Sequence, residues 1–237
     1  MWNGKKVSVI VSTYNEKDSI RKSINDFFAT KVVDEVVVVN NNAAPGTDEE
    51  VKKTNAKLFY EKKQGYGWGY RKALSKATGD ILIMSEPDGT FIAKDILKLL
   101  QYSDEFDVVF GTRTTSATII EGANMGFFLK WGNWFVAKLM EILFGTTHLS
   151  DAGCTYRLMK RSVYEKIKGK FHTGDSYWGL EMMLIIINSK INFIEVPLHY
   201  NVRIGKSSVT GDFFKAFKLG TQMILQILLF RIKSWFK

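Results

Sequence analysis

Cysteine is almost absent: Cys154 stands alone among 237 residues. That excludes an internal disulfide framework and suits a reducing compartment. Histidine is nearly as scarce, and His148, His172 and His199 are scattered, which argues against a zinc site. There is no low-complexity tract and no internal repeat. No signal peptide fits the opening MWNGKK, which runs into a strand-like segment at Val7. Nor is there a clean charge-free run of the ~20 apolar residues that crosses a bilayer. RNA- and DNA-binding motifs are missing as well, so nucleic acid is not expected as a partner.

What remains is an ordinary globular composition, 46% hydrophobic and 24% charged. The length suits one large domain with a sizeable core, or a core with a small appendage. The net charge of +9 favours anionic partners such as nucleotides, phosphates or an anionic membrane surface. Charge alone does not choose among them.

The first half alternates short β-branched runs with helical patterns. Residues 6–12, 35–39, 57–61, 80–84 and 106–111 read as strands. Segments 16–29, 47–55, 65–78 and 92–104 between them have helical spacing or caps. Near-continuous apolar strands alternating with helices predict an α/β fold, a mostly parallel sheet covered on both faces. Ligands bind such sheets at the carboxyl ends of the strands. Three of those ends are polar and turn-rich: STYNE (12–16), NNNAAPG (40–46) and SEPDGTF (85–91).

The third loop carries Glu86 and Asp88, one residue apart. In extended chain such positions point to the same side. Two carboxylates there repel unless a cation lies between them or one takes a proton. Magnesium and manganese favour oxygen ligands and often share one or two carboxylates with substrate phosphates. Pro87 stops strand pairing, and Gly89 permits a tight turn away. The plain alternative is a surface turn, where acidic-x-acidic spacing is common.

Beyond residue 113 the chain turns apolar and aromatic. Residues 125–144 and 213–236 pair Trp and Phe with flanking Lys and Arg. That describes helices lying in a membrane interface. Packing in a core or a dimer is the competing reading, and a truncated membrane anchor is a third for the C-terminal one.

Four blocks in order, VSVIVSTYNE (7–16), GYGWGYRKALSKATGDILIMSEPDGTF (65–91), DAGCTYRLMKRSVYEKI (151–167) and EVPLHYNVRIGKSS (195–208), resemble family-2 glycosyltransferases of the GT-A fold. They are most similar to the branch containing dolichyl- and polyprenyl-phosphate sugar transferases. The resemblance implies a GT-A domain over 1–210 and an amphipathic C-terminal helix over 211–237. It implies a nucleotide-diphosphate sugar as donor and Mg²⁺ or Mn²⁺ as cofactor, held by Glu86 and Asp88. Glu86 replaces the usual first Asp of the motif. Thr13, Tyr14, Asn15 and Glu16 would line the nucleotide pocket, with Asn41, Pro87 and the glycine-rich helix start bearing Gly65, Gly67 and Arg71. Arg113, Arg157, Arg203, Lys206 and Ser207 would surround the acceptor phosphate and donor pyrophosphate. Arg157 has a second reading, as a structural residue against Asp151. Glu86, Asp88 and Arg203 are the expected catalytic groups, joined by Glu181 either as general base or as a structural acid.

A phosphate acceptor is already ionised near neutral pH and needs no base, whereas a sugar hydroxyl does. The expected reaction is inverting transfer to a polyprenyl phosphate at the cytoplasmic face of a membrane, by a protein that is peripheral or anchored through its C-terminal helix. Transfer to a glycan or protein hydroxyl is the alternative among enzymes. An inactive membrane-surface module that binds nucleotide sugars is the alternative of another class. A homo-oligomer joined through the C-terminal helix is a further expectation.

Overall fold

The computed structural model describes residues 1–123, 127–205 and 213–235. Seven strands form one sheet: β1 (Val7–Thr13), β2 (Glu35–Asn40), β3 (Lys57–Tyr60), β4 (Ile81–Met84), β5 (Val108–Thr112), β6 (Arg157–Lys160) and β7 (Phe193–Pro197). Their order is β3-β2-β1-β4-β6-β5-β7. All neighbours pair in parallel except those of β6, which runs antiparallel to both β4 and β5.

The apolar runs are continuous because both faces of the sheet are covered. Along β2, Val37 and Val39 join one core while Val36 and Val38 join the other. In β4, Leu82 and Met84 divide from Ile81 and Ile83 in the same way, as the two-residue period of a strand demands. Helix α1 (Lys17–Ala29) buries Ile20, Ile24 and Phe27 against one face. The spacing of those three residues keeps them on one stripe of the helix.

On the other face lie α3 (Tyr66–Lys76) and α7 (Trp178–Asn188). They approach closely at Gly67, where a Cβ would come within 2.5 Å of Trp178 Cβ. Gly69 seats α3 on β1 in the same way, since its Cβ would lie 2.0 Å from Ser12 Oγ. Short helices α2 (Thr47–Lys52), α4 (Ile96–Gln101) and α6 (Arg161–Ile167) complete the layers. The predicted helix over 92–104 is instead a 3₁₀ turn, Ala93–Asp95, followed by α4. Strands β6 and β7 have no counterpart among the strands read from sequence.

The two apolar segments are helices α5 (Phe127–Phe144) and α8 (Phe213–Trp235). They pack on one another, with Phe144 against Phe230 at 6.1 Å between ring centres. Ile227 of α8 is fully buried in the same core as Met140 of α5. Their outer surface stays apolar: Phe135 is 54% exposed, Ile142 79% and Leu229 48%. Among the described residues no helix is long and apolar enough to cross a membrane.

Candidate active site

Because β1, β2 and β4 are parallel neighbours, their carboxyl ends open on one edge of the sheet. A cavity of about 620 Å³ lies there, within the range of small-molecule and cofactor sites. Ser12, Thr13, Tyr14 and Asn41 from the ends of β1 and β2, with Gln64 and Gly65 before α3, make one wall. Glu86, Arg113, Arg157 and Arg203 supply its charged centre, with Pro87 beside Glu86. Leu129 and Val136 of α5, with Met223 and Ile224 of α8, make an apolar wall.

The acid pair is built by hydrogen bonding. Asp88 is 0% exposed, and its Oδ1 accepts from Thr90 N at 3.0 Å and Thr90 Oγ1 at 2.6 Å. Its Oδ2 stands 2.7 Å from Arg203 Nη1. That contact is ionic and off line, so the buried oxygen has no hydrogen-bond partner. Glu86 Oε1 accepts from Thr155 Oγ1 at 2.7 Å. Burial, and next the charge of Asp88, push the Glu86 carboxyl up to about 7. Two desolvated carboxylates, one with an oxygen that lacks a hydrogen bond and the other held toward neutrality, fit a divalent cation, whose charge would favour ionisation of Glu86. Asp88 itself lies outside the cavity lining.

Arg203 reaches this pair because the chain after β7 runs back along residues 88–90. Asn201 N donates to Thr90 O and Ile204 N to Asp88 O, both at 2.8 Å. The guanidinium then bridges Asp88 and Glu16, whose Oε1 accepts from Nη2 at 3.2 Å. The other oxygen of Glu16 gathers the turn after β1, accepting from Thr13 Oγ1, Tyr14 N and Asn15 N. Glu16 and Thr13 therefore border the cavity as structural members of its wall, and Tyr14 presents an exposed ring there. Asn15 takes part through its backbone N–H and lies outside the lining.

Several expected site residues stand elsewhere or are otherwise engaged. Gly67 is a packing residue under Trp178, not part of the cavity wall. Arg71 faces away from the cavity: Nη1 donates to Thr173 O at 3.1 Å, and the guanidinium lies 4.5 Å from the centre of the Trp68 ring. A helix turns about 100° per residue, which carries Arg71 off the side that Tyr66 and Tyr70 present to the cavity. Glu181 is buried, accepting from His172 N at 2.8 Å and from Thr173 N and Oγ1 at 3.1 and 2.9 Å. It holds the loop before α7, which is the arrangement of a structural acid, one of its two expected roles. Asn41 lines the cavity, but its amide is consumed by Glu61 O, Lys63 O and Gly65 N.

The arginines divide in the same way. Arg113 is paired with Asp151 through Nε at 2.8 Å and Nη2 at 2.9 Å. Burial opposes its charge, but Asp151 outweighs burial and holds the guanidinium well above its usual range. The carboxylate expected as partner of Arg157 is thus taken by Arg113. Arg157 instead donates to the carbonyls of Cys154, Gly179 and Ala152. With no carboxylate paired to it among the described residues, burial lowers its pKa. Lys206 and Ser207 lie outside the described residues.

Several bordering residues went unassigned in the sequence reading, four polar ones among them. Thr155 holds Glu86, Tyr66 Oη meets Thr155 Oγ1 at 2.8 Å, and Gln64 and Asp175 line the wall. Thr155 and Tyr66 fall inside the motif blocks, so their position was visible though their role was not. Asp175 had only its place just before a helix to mark it.

The family model described as "Glycosyl transferase family 2" matches residues 8–168. The dolichyl-phosphate hexose transferase of Haloferax volcanii is 27% identical over 207 residues, 86% of each chain. The dolichyl-phosphate beta-glucosyltransferase of Saccharomyces cerevisiae is 21% identical over 226 residues, 82% of this chain and 66% of that one. Glucosyl-3-phosphoglycerate synthase of Mycobacterium tuberculosis, solved with Mn²⁺, UDP and its product, superposes with a TM-score of 0.72 at 14% identity, covering 96% of this chain and 80% of that one. That likeness is one of fold.

Proposed function

The chain belongs to glycosyl transferase family 2, and from that premise we propose that it moves a hexose from a nucleotide-diphosphate sugar to a polyprenyl phosphate at a membrane surface, with inversion at the anomeric carbon. The carrying observation is that one cavity joins Glu86, three arginines and an apolar wall from α5 and α8, with Asp88 buried outside the lining against the cavity residue Arg203. Such a cavity suits an acceptor with an anionic head and a hydrocarbon tail.

Glu86 and Asp88 would hold Mg²⁺ or Mn²⁺. Among the described residues no group of three or more His, Cys, Asp and Glu could form a complete protein cage, so donor phosphates would complete the ligand set. When bound, the ion offsets the charge that grows on the departing diphosphate. Arg203, tethered to Asp88 and Glu16, is placed to meet donor phosphate beside the pair. Arg113 keeps its charge through Asp151 and offers the remaining guanidinium edge to an anionic acceptor. Cavity walls from several parts of the chain would hold the two reactants together, and proximity would supply much of the rate. An ionised phosphate oxygen attacks without a base, in keeping with the structural role of Glu181.

Asp175, exposed on the cavity wall, favours a second reading in which a hydroxyl acceptor is deprotonated there. The deciding experiment offers radiolabelled UDP- and GDP-hexoses with a polyprenyl phosphate in detergent and Mn²⁺ or Mg²⁺. Label is expected in the organic phase with wild type and with D175N, and lost with D88N. Label that stays aqueous on a glycan and disappears with D175N establishes the hydroxyl reading instead.

A further inference from the structure

Resting on the donor reading above, we propose that Gln64 reads the nucleotide base and selects an exocyclic oxo group, as in uracil or guanine, over the amino group of cytosine or adenine. Three asparagines, Asn40 at the end of β2 and Asn41 and Asn42 after it, stand on the same edge, and their amides are spent on the scaffold. Asn40 Nδ2 donates to Asp48 Oδ1 and its Oδ1 accepts from Ala43 N. Asn41 straps the loop before α3 through Glu61, Lys63 and Gly65.

Asn42 then fixes the orientation of its neighbour. It occupies the left-handed region with φ of 58°, which an asparagine tolerates. That conformation turns its amide toward the same loop, where Nδ2 lies 3.2 Å from Lys62 O and 2.9 Å from Gln64 Oε1. A peptide carbonyl only accepts, so the NH₂ end of Asn42 must face Lys62 O. The atom of Gln64 that meets that NH₂ must in turn be its oxygen. Gln64 Nε2 is thereby left with its donors and with no partner among the described residues, on a side chain that lines the cavity. The exposed ring of Tyr14 on the same wall offers a surface for a base to stack upon. Two N–H donors held at a base edge pair with uracil O4 or guanine O6, and meet an unfavourable donor at cytosine N4 or adenine N6.

The test is calorimetric titration of UDP, GDP, CDP and ADP into the protein with Mn²⁺ present, using wild type, Q64E and N42D. At least one of UDP and GDP is expected to bind about tenfold or more tightly than CDP and ADP, the scale of one well-formed hydrogen bond against one left unmade. Q64E keeps an acceptor for Asn42 but has no N–H to offer, so the preference should vanish or reverse. In N42D the new carboxylate only accepts; it should draw Gln64 Nε2 toward itself and turn Oε1 to the cavity, reversing the preference. Wild-type binding indifferent to the base, or an oxo preference that survives in Q64E, overturns the role of Gln64 alone. Failure of all four nucleotides to bind overturns the donor reading and this assignment with it.

Discussion

Glu86 comes to the cavity wall with one oxygen already engaged by Thr155, whose hydroxyl is itself met by Tyr66 Oη. This small chain of hydroxyls sets where the carboxylate points. It also opposes, in part, the burial that pushes Glu86 toward neutrality. Groups that orient a metal-binding carboxylate matter nearly as much as the carboxylate, and their loss typically weakens metal binding about 10- to 100-fold. Replacing Thr155 by the isosteric valine should therefore raise the Mn²⁺ concentration for half-maximal transfer by about tenfold or more, with the melting temperature little changed. Y66F removes only the outer hydroxyl and should shift it much less. A T155V enzyme with an unaltered metal titration would show that Glu86 needs no such support.

At the scale of elements, α5 and α8 do two things at once. Their inner sides close the cavity and join the core, while their outer sides leave Phe135, Ile142 and Leu229 in solvent. Burying one such side chain in a bilayer interface is worth about 1.5–3 kcal/mol. Replacing either Phe135 or Leu229 by glutamate should thus weaken flotation with anionic vesicles by roughly tenfold or more. Melting should stay unchanged, since neither side chain is in the core. Loss of stability without loss of vesicle binding would mark this face as a packing surface. The helices themselves were legible from sequence, because apolar stripes broken by lysines have a period that survives without any partner. So were the first five strands, and the rim that the ends of β1, β2 and β4 share. Strand β6 was not, because its direction follows from the route of the chain around α5, and nothing in RLMK encodes that. Arg71 was carried over with the glycine-rich block it belongs to, and a shared motif does not say which face of the helix meets the cavity. The role of Glu181 was open because the N–H groups it satisfies, at His172 and Thr173, are backbone atoms that any sequence possesses.

Across the whole molecule, two glutamates on widely separated strands of the sheet respond to pH with opposite sign. Glu35 begins β2 and gathers Ser8 of β1, Lys57 of β3 and Thr78 ahead of β4. Burial would raise its pKa, but Lys57, Ser8 and Thr78 together outweigh burial and hold it down at about 2. The unfolded chain protonates near 4.5, so this contribution is present above that pH and is lost as pH falls toward 2. Glu195 of β7 supports the 150–151 segment by accepting from Ser150 N, Ser150 Oγ and Asp151 N. Here burial wins against those donors and pushes the carboxyl up to about 7. Between about 4.5 and 7 the folded state then binds more protons than the unfolded one, and stability falls as pH rises through that window. Glutamine at 195 retains an acceptor for both N–H groups and does not titrate. E195Q should therefore show a shallower decline between about pH 4.5 and 7 than wild type in chemical denaturation, keeping the part that Glu86, also raised to about 7, contributes and the acid limb to which Glu35 contributes. Wild-type and E195Q stability curves that run parallel through that window would mean that Glu195 is ionised in the fold, with its three donors prevailing over burial.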